Sequence, residues 1–239
     1  MHRFFAQRTD ERHARLPEEE ETHALRVLRM QAGDACQALI DGAIYAAVLR
    51  EIAPRVLLEL KEELPSTEPG VRVTLYQGIP KGDKMDYITQ KCTEAGVHRI
   101  VPVDFSRCVA HWDGKDAPKK QARFRRIAAE AAKQSGRALA PDIQLPVSVD
   151  GLCRALAGPD LALVPWEEET SGGVKSRWLG QKDVALVIGP EGGITAEEIE
   201  KCRAAGAWPI TLGPRIFRTE TAGLAALISL LTLSGDLGA

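Results

Sequence analysis

The chain has 239 residues, long enough for one large domain or two ordinary ones with cores of their own. A hydrophobic fraction of 44% and a charged fraction of 27% match a soluble globular protein. The formal net charge of -2 excludes a global attraction to nucleic acid, so any such partner must be held by a local patch.

The opening residues MHRFFAQRTDERHAR have no apolar core, and nothing in them resembles a signal peptide. PEEEETHALRVLRMQAGD reads as a helix: Pro17 stands in the first turn, acids crowd the positive end, Arg26 and Arg29 lie near the negative end, and Gly33 stands just beyond. Three β-rich pieces follow between residue 37 and about residue 64, QALIDG, AIYAAVLREI and RVLLELKEEL. Asp41-Gly42 is a hairpin turn signal, and short strands without intervening helices predict a small barrel. PSTEPG at 65–70 is the linker, dividing the chain into 1–70 and 71–239.

Beyond the linker the pattern alternates. VRVTLYQ is a predicted strand, 83 to about 95 a helix, RIVPVDF a strand and about 118–135 a helix. LALVPW and VALVIG are strands, about 195–205 is a helix, PITLG is a strand, and a final helix runs to about 233. This alternation predicts a mostly parallel α/β sheet. The final helix, ETAGLAALISLLTL, is apolar on nearly every side, which predicts full burial in the core or across a dimer seam, and its apolar run is too short to span a bilayer.

In open α/β sheets ligands bind beyond the carboxyl ends of the strands. Three apolar strands end there in Val164-Pro165-Trp166, in Gly189-Pro190-Glu191-Gly192-Gly193 and in Leu212-Gly213-Pro214. Glycines at such ends allow close approach of a ligand to backbone amides, and prolines fix the chain direction. The spacing fits neither GxGxxG nor GxxxxGK[ST], which disfavours a dinucleotide fold or a P-loop kinase. Taken alone, GPEGG also reads as a plain strand-to-helix turn.

IGPEGG and LGPRIFRTETA, with KGDKMDYITQKCTEAGV and EAAKQSGR upstream and SGDLG at the end, resemble the bacterial 16S ribosomal RNA uridine N3-methyltransferases, the RsmE family of the SPOUT superfamily. The resemblance runs nearly end to end. It implies an α/β methyltransferase domain with a C-terminal deep trefoil knot at 71–239, a PUA-like RNA-binding barrel at 1–70, S-adenosylmethionine as methyl donor, and a homodimer acting on the small ribosomal subunit. General topology rules alone argue against a knot. Ala95 stands where many relatives carry leucine, and Phe217 where leucine or valine is common; both keep an apolar character.

In such knotted enzymes the methyl donor sits in the knot loops. The resemblance therefore assigns it to Val164, Pro165, Ile188, Gly189, Pro190, Glu191, Gly192, Gly193, Leu212, Gly213, Ile216, Phe217, Arg218, Thr219, Thr221 and Ala222. Backbone groups there can read adenine, while Leu212, Ile216 and Phe217 can pack on its faces. N3 of uracil lies on the pairing edge, so the base must be unpaired or extruded to react, and its proton must leave. Arg218, Arg137 and Glu220 are the catalytic candidates: an arginine can stabilise the anionic uracil oxygens or hold phosphate, and a carboxylate can accept the proton. Structural readings stand beside these: Glu220 favouring a helix dipole, Thr219 as an N-cap, and Arg218 paired with Glu191.

RNA needs positive charge. Lys119, Lys120, Arg123, Arg125, Arg126, Lys133 and Arg137 crowd one helix and its end, opposite Phe124, Ile127, Ala128 and Ala131. Lys119, Arg123, Arg126 and Arg137 are the candidates on it, joined by Lys81 and, near the N-terminus, by Arg3, Arg8, His23 and Arg29; an ordinary solvated face is the alternative. His2, His13, His23, His98 and His111 show no ligand spacing, so no metal is expected. Five cysteines without a CxxC argue against a disulfide framework and fit a reducing cytoplasm. Two other functions compete: a SPOUT enzyme acting on a ribose 2′-hydroxyl or another base, and an RNA-binding protein without catalysis.

Overall fold

The computed structural model describes residues 1–112 and 114–238, so Asp113 and Ala239 lie outside the described residues. The chain folds into two compact units: Met1–Glu68 with Ala132–Leu139, and Pro69–Ala131 with Ala140–Ala239. The expected boundary at 70/71 moves two residues, and the segment 132–139 belongs to the first unit, which the linear reading did not foresee.

The first unit holds β1 (His2–Phe5), β2 (Gln7–Arg8), β3 (His13–Arg15), β4 (Ala35–Ile40), β5 (Ala43–Glu51) and β6 (Leu57–Leu64) in one sheet, ordered β1-β4-β5-β6-β3-β2. β1 runs parallel to β4, and the other pairs are antiparallel. Asp41 (φ 49) and Gly42 (φ 89) both take the left-handed conformation that a two-residue turn between twisted strands requires, which makes the β4–β5 hairpin. The predicted first helix is short. α1 (Glu18–Thr22) passes into a π-helical turn at His23–Val27, and Arg29 leaves the helical region at φ 56. Phe4, Ala14, Leu16, Leu49, Val56 and Leu58 form the core.

Glu68 secures the returning segment 132–139. Its carboxylate accepts from the Arg137 guanidinium at 2.6 Å and from the backbone N–H groups of Ala138 and Leu139 at 2.8 and 3.1 Å. Thr67 Oγ1 donates to the Gly136 carbonyl at 2.8 Å, and Lys133 pairs with Glu20 at 2.5 Å.

The second unit alternates strand and helix: β7 (Arg72–Gly78), α2 (Lys84–Ala95), β8 (Arg99–Asp104), α3 (Asp116–Ser135, whose last residues belong to the first unit), β9 (Asp142–Ile143), β10 (Val147–Ser148), α4 (Val149–Ala155), β11 (Leu161–Pro165), α5 (Val174–Arg177), β12 (Asp183–Ile188), α6 (Ala196–Ala204), β13 (Trp208–Ile210) and α7 (Thr219–Ser234). The order is β10-β8-β7-β12-β11-β13, with β9 beside β8, and every described pair is parallel. Continuous apolar runs such as LALV and VALVI suit strands covered on both faces. α7 departs from full burial. Ala226, Leu227, Leu230 and Leu231 are in the core, but Ile228 is 38% exposed and Ser229 and Thr232 also face outward.

Candidate active site

β7, β12, β11 and β13 are neighbours running the same way, so their carboxyl ends open on one side of the sheet. The loops after β11 and β13, with the start of α7, enclose an open cleft of about 610 Å³, a size suited to a small organic ligand. Pro165, Trp166, Glu167 and Thr170 form one side, and Thr211 to Phe217 with Ala222 form the other. A recess of about 70 Å³ shares Pro165, Trp166, Glu167, Phe217 and Ala222 and adds Ile188, Gly189, Pro190, Gly193, Ile194 and Thr219.

The loop after β12 is tightly held. A side-chain carbon on Gly78, at the end of β7, would sit 2.5 Å from the Pro190 nitrogen, so the two backbones touch there. The Glu191 carboxylate takes the Lys81 backbone N–H at 3.2 Å, and the Arg107 guanidinium donates to the Gly192 carbonyl at 3.0 Å. Gly193 has φ 74, and the Glu167 carboxylate lies over it where any side chain would stand. Thr219 Oγ1 donates to the Gly189 carbonyl at 2.6 Å and accepts from Gln77 Nε2 at 2.9 Å. Thr219 is thus the first residue of α7 and ties the helix to the loop, while Arg218 occupies the N-cap position without a side-chain cap.

Beside this loop lies a charged cluster. Lys84 Nζ is 2.9 Å from Glu191 Oε1 and 3.2 Å from Glu220 Oε2. Burial pushes both carboxyls up. For Glu191, the Lys84 ammonium and nearby backbone N–H groups outweigh it; for Glu220, its own backbone N–H and Lys84 do, so both sit below the ordinary glutamate value. Lys84 is raised, first by its hydrogen bond to Glu191. Glu191 pairs with Lys84, while the Arg218 side chain is 84% exposed and reaches only to 4.0 Å from Glu220.

The opposite wall is open. Residues 213–218 are all exposed; Ile216 is 86% exposed and Phe217 37%. Trp166 Nε1 and Gln77 Oε1 are buried without a partner among the described residues. Residues 67–231, the second unit almost entirely, match the RNA methyltransferase domain family.

The chain belongs to the RNA methyltransferase family.

Its relatives in that family extend over both units. Ribosomal RNA small subunit methyltransferase E of Bacillus subtilis is 33% identical over 244 residues, covering 95% of this chain and 94% of its own. The Ribosomal RNA small subunit methyltransferase E of Neisseria gonorrhoeae, solved bound to S-adenosyl methionine, has a TM-score of 0.83 and 32% identity over 98% of each chain. A methyltransferase structure from Legionella pneumophila with bound SAM has a TM-score of 0.85 and 30% identity over 97% of each chain.

Within this methyltransferase the cleft brings together Pro165, Ile188, Gly189, Pro190, Gly193, Leu212, Gly213, Ile216, Phe217, Thr219 and Ala222. Five other residues expected at the methyl donor line neither recess. Val164 is fully buried in its strand, Glu191 turns to Lys84, and Gly192 packs on Arg107. Thr221 Oγ1 donates to the Arg218 carbonyl, and the Arg218 side chain is turned to solvent. The sequence reading did not single out Gln77, Lys84 or Arg107, and their types gave no local signal.

Arg137 is 4% exposed and bound to Glu68 in the first unit, a structural setting for a residue expected to be catalytic. On α3, Lys119, Arg123, Arg125 and Arg126 are exposed opposite buried Phe124 and Ala128. Arg123 is ion-paired with Asp86, and Lys120 lies over the Trp112 ring at 4.9 Å. Lys81 is exposed. In the first unit Arg3 donates to Gln37, Arg8 lies over the Tyr45 ring at 4.7 Å, His23 meets the edge of Phe4, and Arg29 is exposed.

Proposed function

We propose that the chain transfers the methyl group of S-adenosylmethionine to N3 of a specific uridine in 16S ribosomal RNA of the small ribosomal subunit, as a cytoplasmic homodimer. The observation that carries this reading is the cleft at the strand ends with the recess beside it, lined by residues of the RIFRTETA and GPEGG segments, in a chain that aligns throughout its length with relatives solved with S-adenosylmethionine. In the same reading the first unit is a PUA-like RNA-binding barrel, and the second is a SPOUT domain whose C-terminal loops form a deep trefoil knot.

The residues fit this methyl donor. Exposed Ile216 and Phe217, with Leu212 and Pro165, offer apolar faces for a purine, and the unpartnered Trp166 Nε1 leaves an N–H in the wall. The Glu167 carboxylate brings negative charge into a cleft meant for a cationic sulfonium compound. The bound methyl donor supplies an electrophilic methyl group on sulfur. Arg218, whose exposed guanidinium lies 4.0 Å from Glu220 at the start of α7, would stabilise negative charge on the uracil oxygens while the N3 proton passes to water. Glu220, ion-paired and held below the ordinary glutamate value, serves in this reading as an anchor, because a lowered pKa makes it a poor proton acceptor. Arg126 and Lys119 on α3 are the proposed phosphate contacts.

The test has two parts. Calorimetric titration of the full chain with S-adenosylmethionine should give one saturable site; absence of binding would remove the methyl-donor assignment. Nucleoside mass spectrometry of small-subunit RNA from cells with and without the gene should show N3-methyluridine lost in its absence. Loss of a ribose-methylated nucleoside or another methylated base would replace the uridine N3 assignment.

A further inference from the structure

Lys84 begins α2 and lines neither recess of the cleft, yet it joins two of the cleft's walls. Its ammonium lies 2.9 Å from Glu191 in the loop after β12 and 3.2 Å from Glu220 in the first turn of α7. The three side chains are only 28%, 21% and 17% exposed, so this is a partly desolvated bridge rather than a surface pair. Both segments it joins carry cleft residues: Gly189, Pro190 and Gly193 on one side, Phe217, Thr219 and Ala222 on the other. The contact of Gly78 with Pro190 and the Lys81 N–H on Glu191 place the whole 78–84 stretch behind the loop.

We propose that Lys84 is a positioning residue for the methyl donor, stapling the 189–193 loop to the start of α7 so that the cleft is preformed. This inference rests on the S-adenosylmethionine reading above. Without the ammonium, two carboxylates are left in a half-buried place with no cation between them. They turn to water, and the walls they belong to lose their common anchor. Preformation lowers the ordering cost of binding, so the loss falls on affinity more than on the chemical step.

The experiment uses the full chain. Lys84→Met should raise the Kd for S-adenosylmethionine about tenfold, as expected for a residue coupled to two partners in one network. The single-turnover methylation rate at saturating methyl donor and RNA should fall by a smaller factor. Lys84→Arg, which can still reach both carboxylates, should recover most of the affinity. Thermal melting reports whether each variant folds. If Lys84→Met does not, the triple variant Lys84→Met, Glu191→Gln, Glu220→Gln removes every charge of the bridge and should fold with the same weakened binding. An unchanged Kd in the folded single or triple variant, or a rate loss equal to or larger than the affinity loss, overturns the staple. A parent chain that binds no S-adenosylmethionine overturns the methyl-donor reading itself, and the parent titration reports that separately.

Discussion

The loop after β12 and the loop after β13 are built on opposite plans. The loop 189–193 is fixed at nearly every residue: Gly189 by Thr219, Pro190 by backbone contact with Gly78, Glu191 by Lys81 and Lys84, and Gly192 by Arg107. The stretch 213–218 is exposed throughout and presents apolar side chains to solvent. One is held by the protein's own contacts, and the other is left open to solvent. A rigid wall supplies geometry at low ordering cost, whereas an open wall supplies contact area and can adjust to what enters.

Changes on the open wall should therefore act on contact and charge. Arg218→Ala carries the largest expected effect, roughly a hundredfold slower methyl transfer at saturating RNA and methyl donor, because it removes charge opposite the developing uracil anion. Single-turnover kinetics would check it, and recovery of the parent rate at saturation would make Arg218 a binding residue only. Phe217→Ala should weaken S-adenosylmethionine about tenfold, the order expected from losing a half-exposed ring that the ligand covers. Calorimetry should also give a less negative heat-capacity change on binding.

The smallest effect belongs to the fixed wall and to pH. Glu191 and Glu220 have lowered folded-state pKa values, so their contribution to stability is complete above the ordinary glutamate value and is lost as pH falls through the folded value. Lys84 is raised, so its contribution is complete below the ordinary lysine value and is lost as pH rises through the folded one. The bridge is whole across the neutral window between them. Denaturant unfolding of the parent and the triple neutral variant should differ by on the order of 1 kcal/mol there, converging in acid. A difference that persists in acid would mean the bridge acts through packing.

Much of the second unit was legible because apolar strands and turn residues are local signals. LALVPW, VALVIG and PITLG were readable as strands, the last offset from the observed Trp208–Ile210, and Gly-Pro after two of them marked the loops that line the cleft and the recess beside it. β9 and β10 have two residues each, too few for a period of two to appear. β2 and β3 were hidden the same way by length, and polar QR and HAR by composition. Thr219 reads as an N-cap by residue type, but its hydroxyl is claimed by Gly189, so the cap falls one residue earlier on Arg218. Lys84 could not be found from spacing at all. Its partners are brought to it by the sheet order, which places β7 beside β12.

The path of α3 has a practical meaning for anyone cutting this chain. The backbone leaves the first unit after Glu68, returns at Ala132 and leaves again after Leu139, with the return made inside a continuous helix. A fragment beginning at residue 71 would keep the segment 132–139 but discard Glu68, which holds Arg137 and the Ala138 N–H, and the rest of the unit to which that segment belongs. The first unit is therefore not a detachable module. Removing it is a surgical insertion problem in reverse, in which the helix end from residue 132 onward must be rebuilt before the remainder can stand as a separate protein.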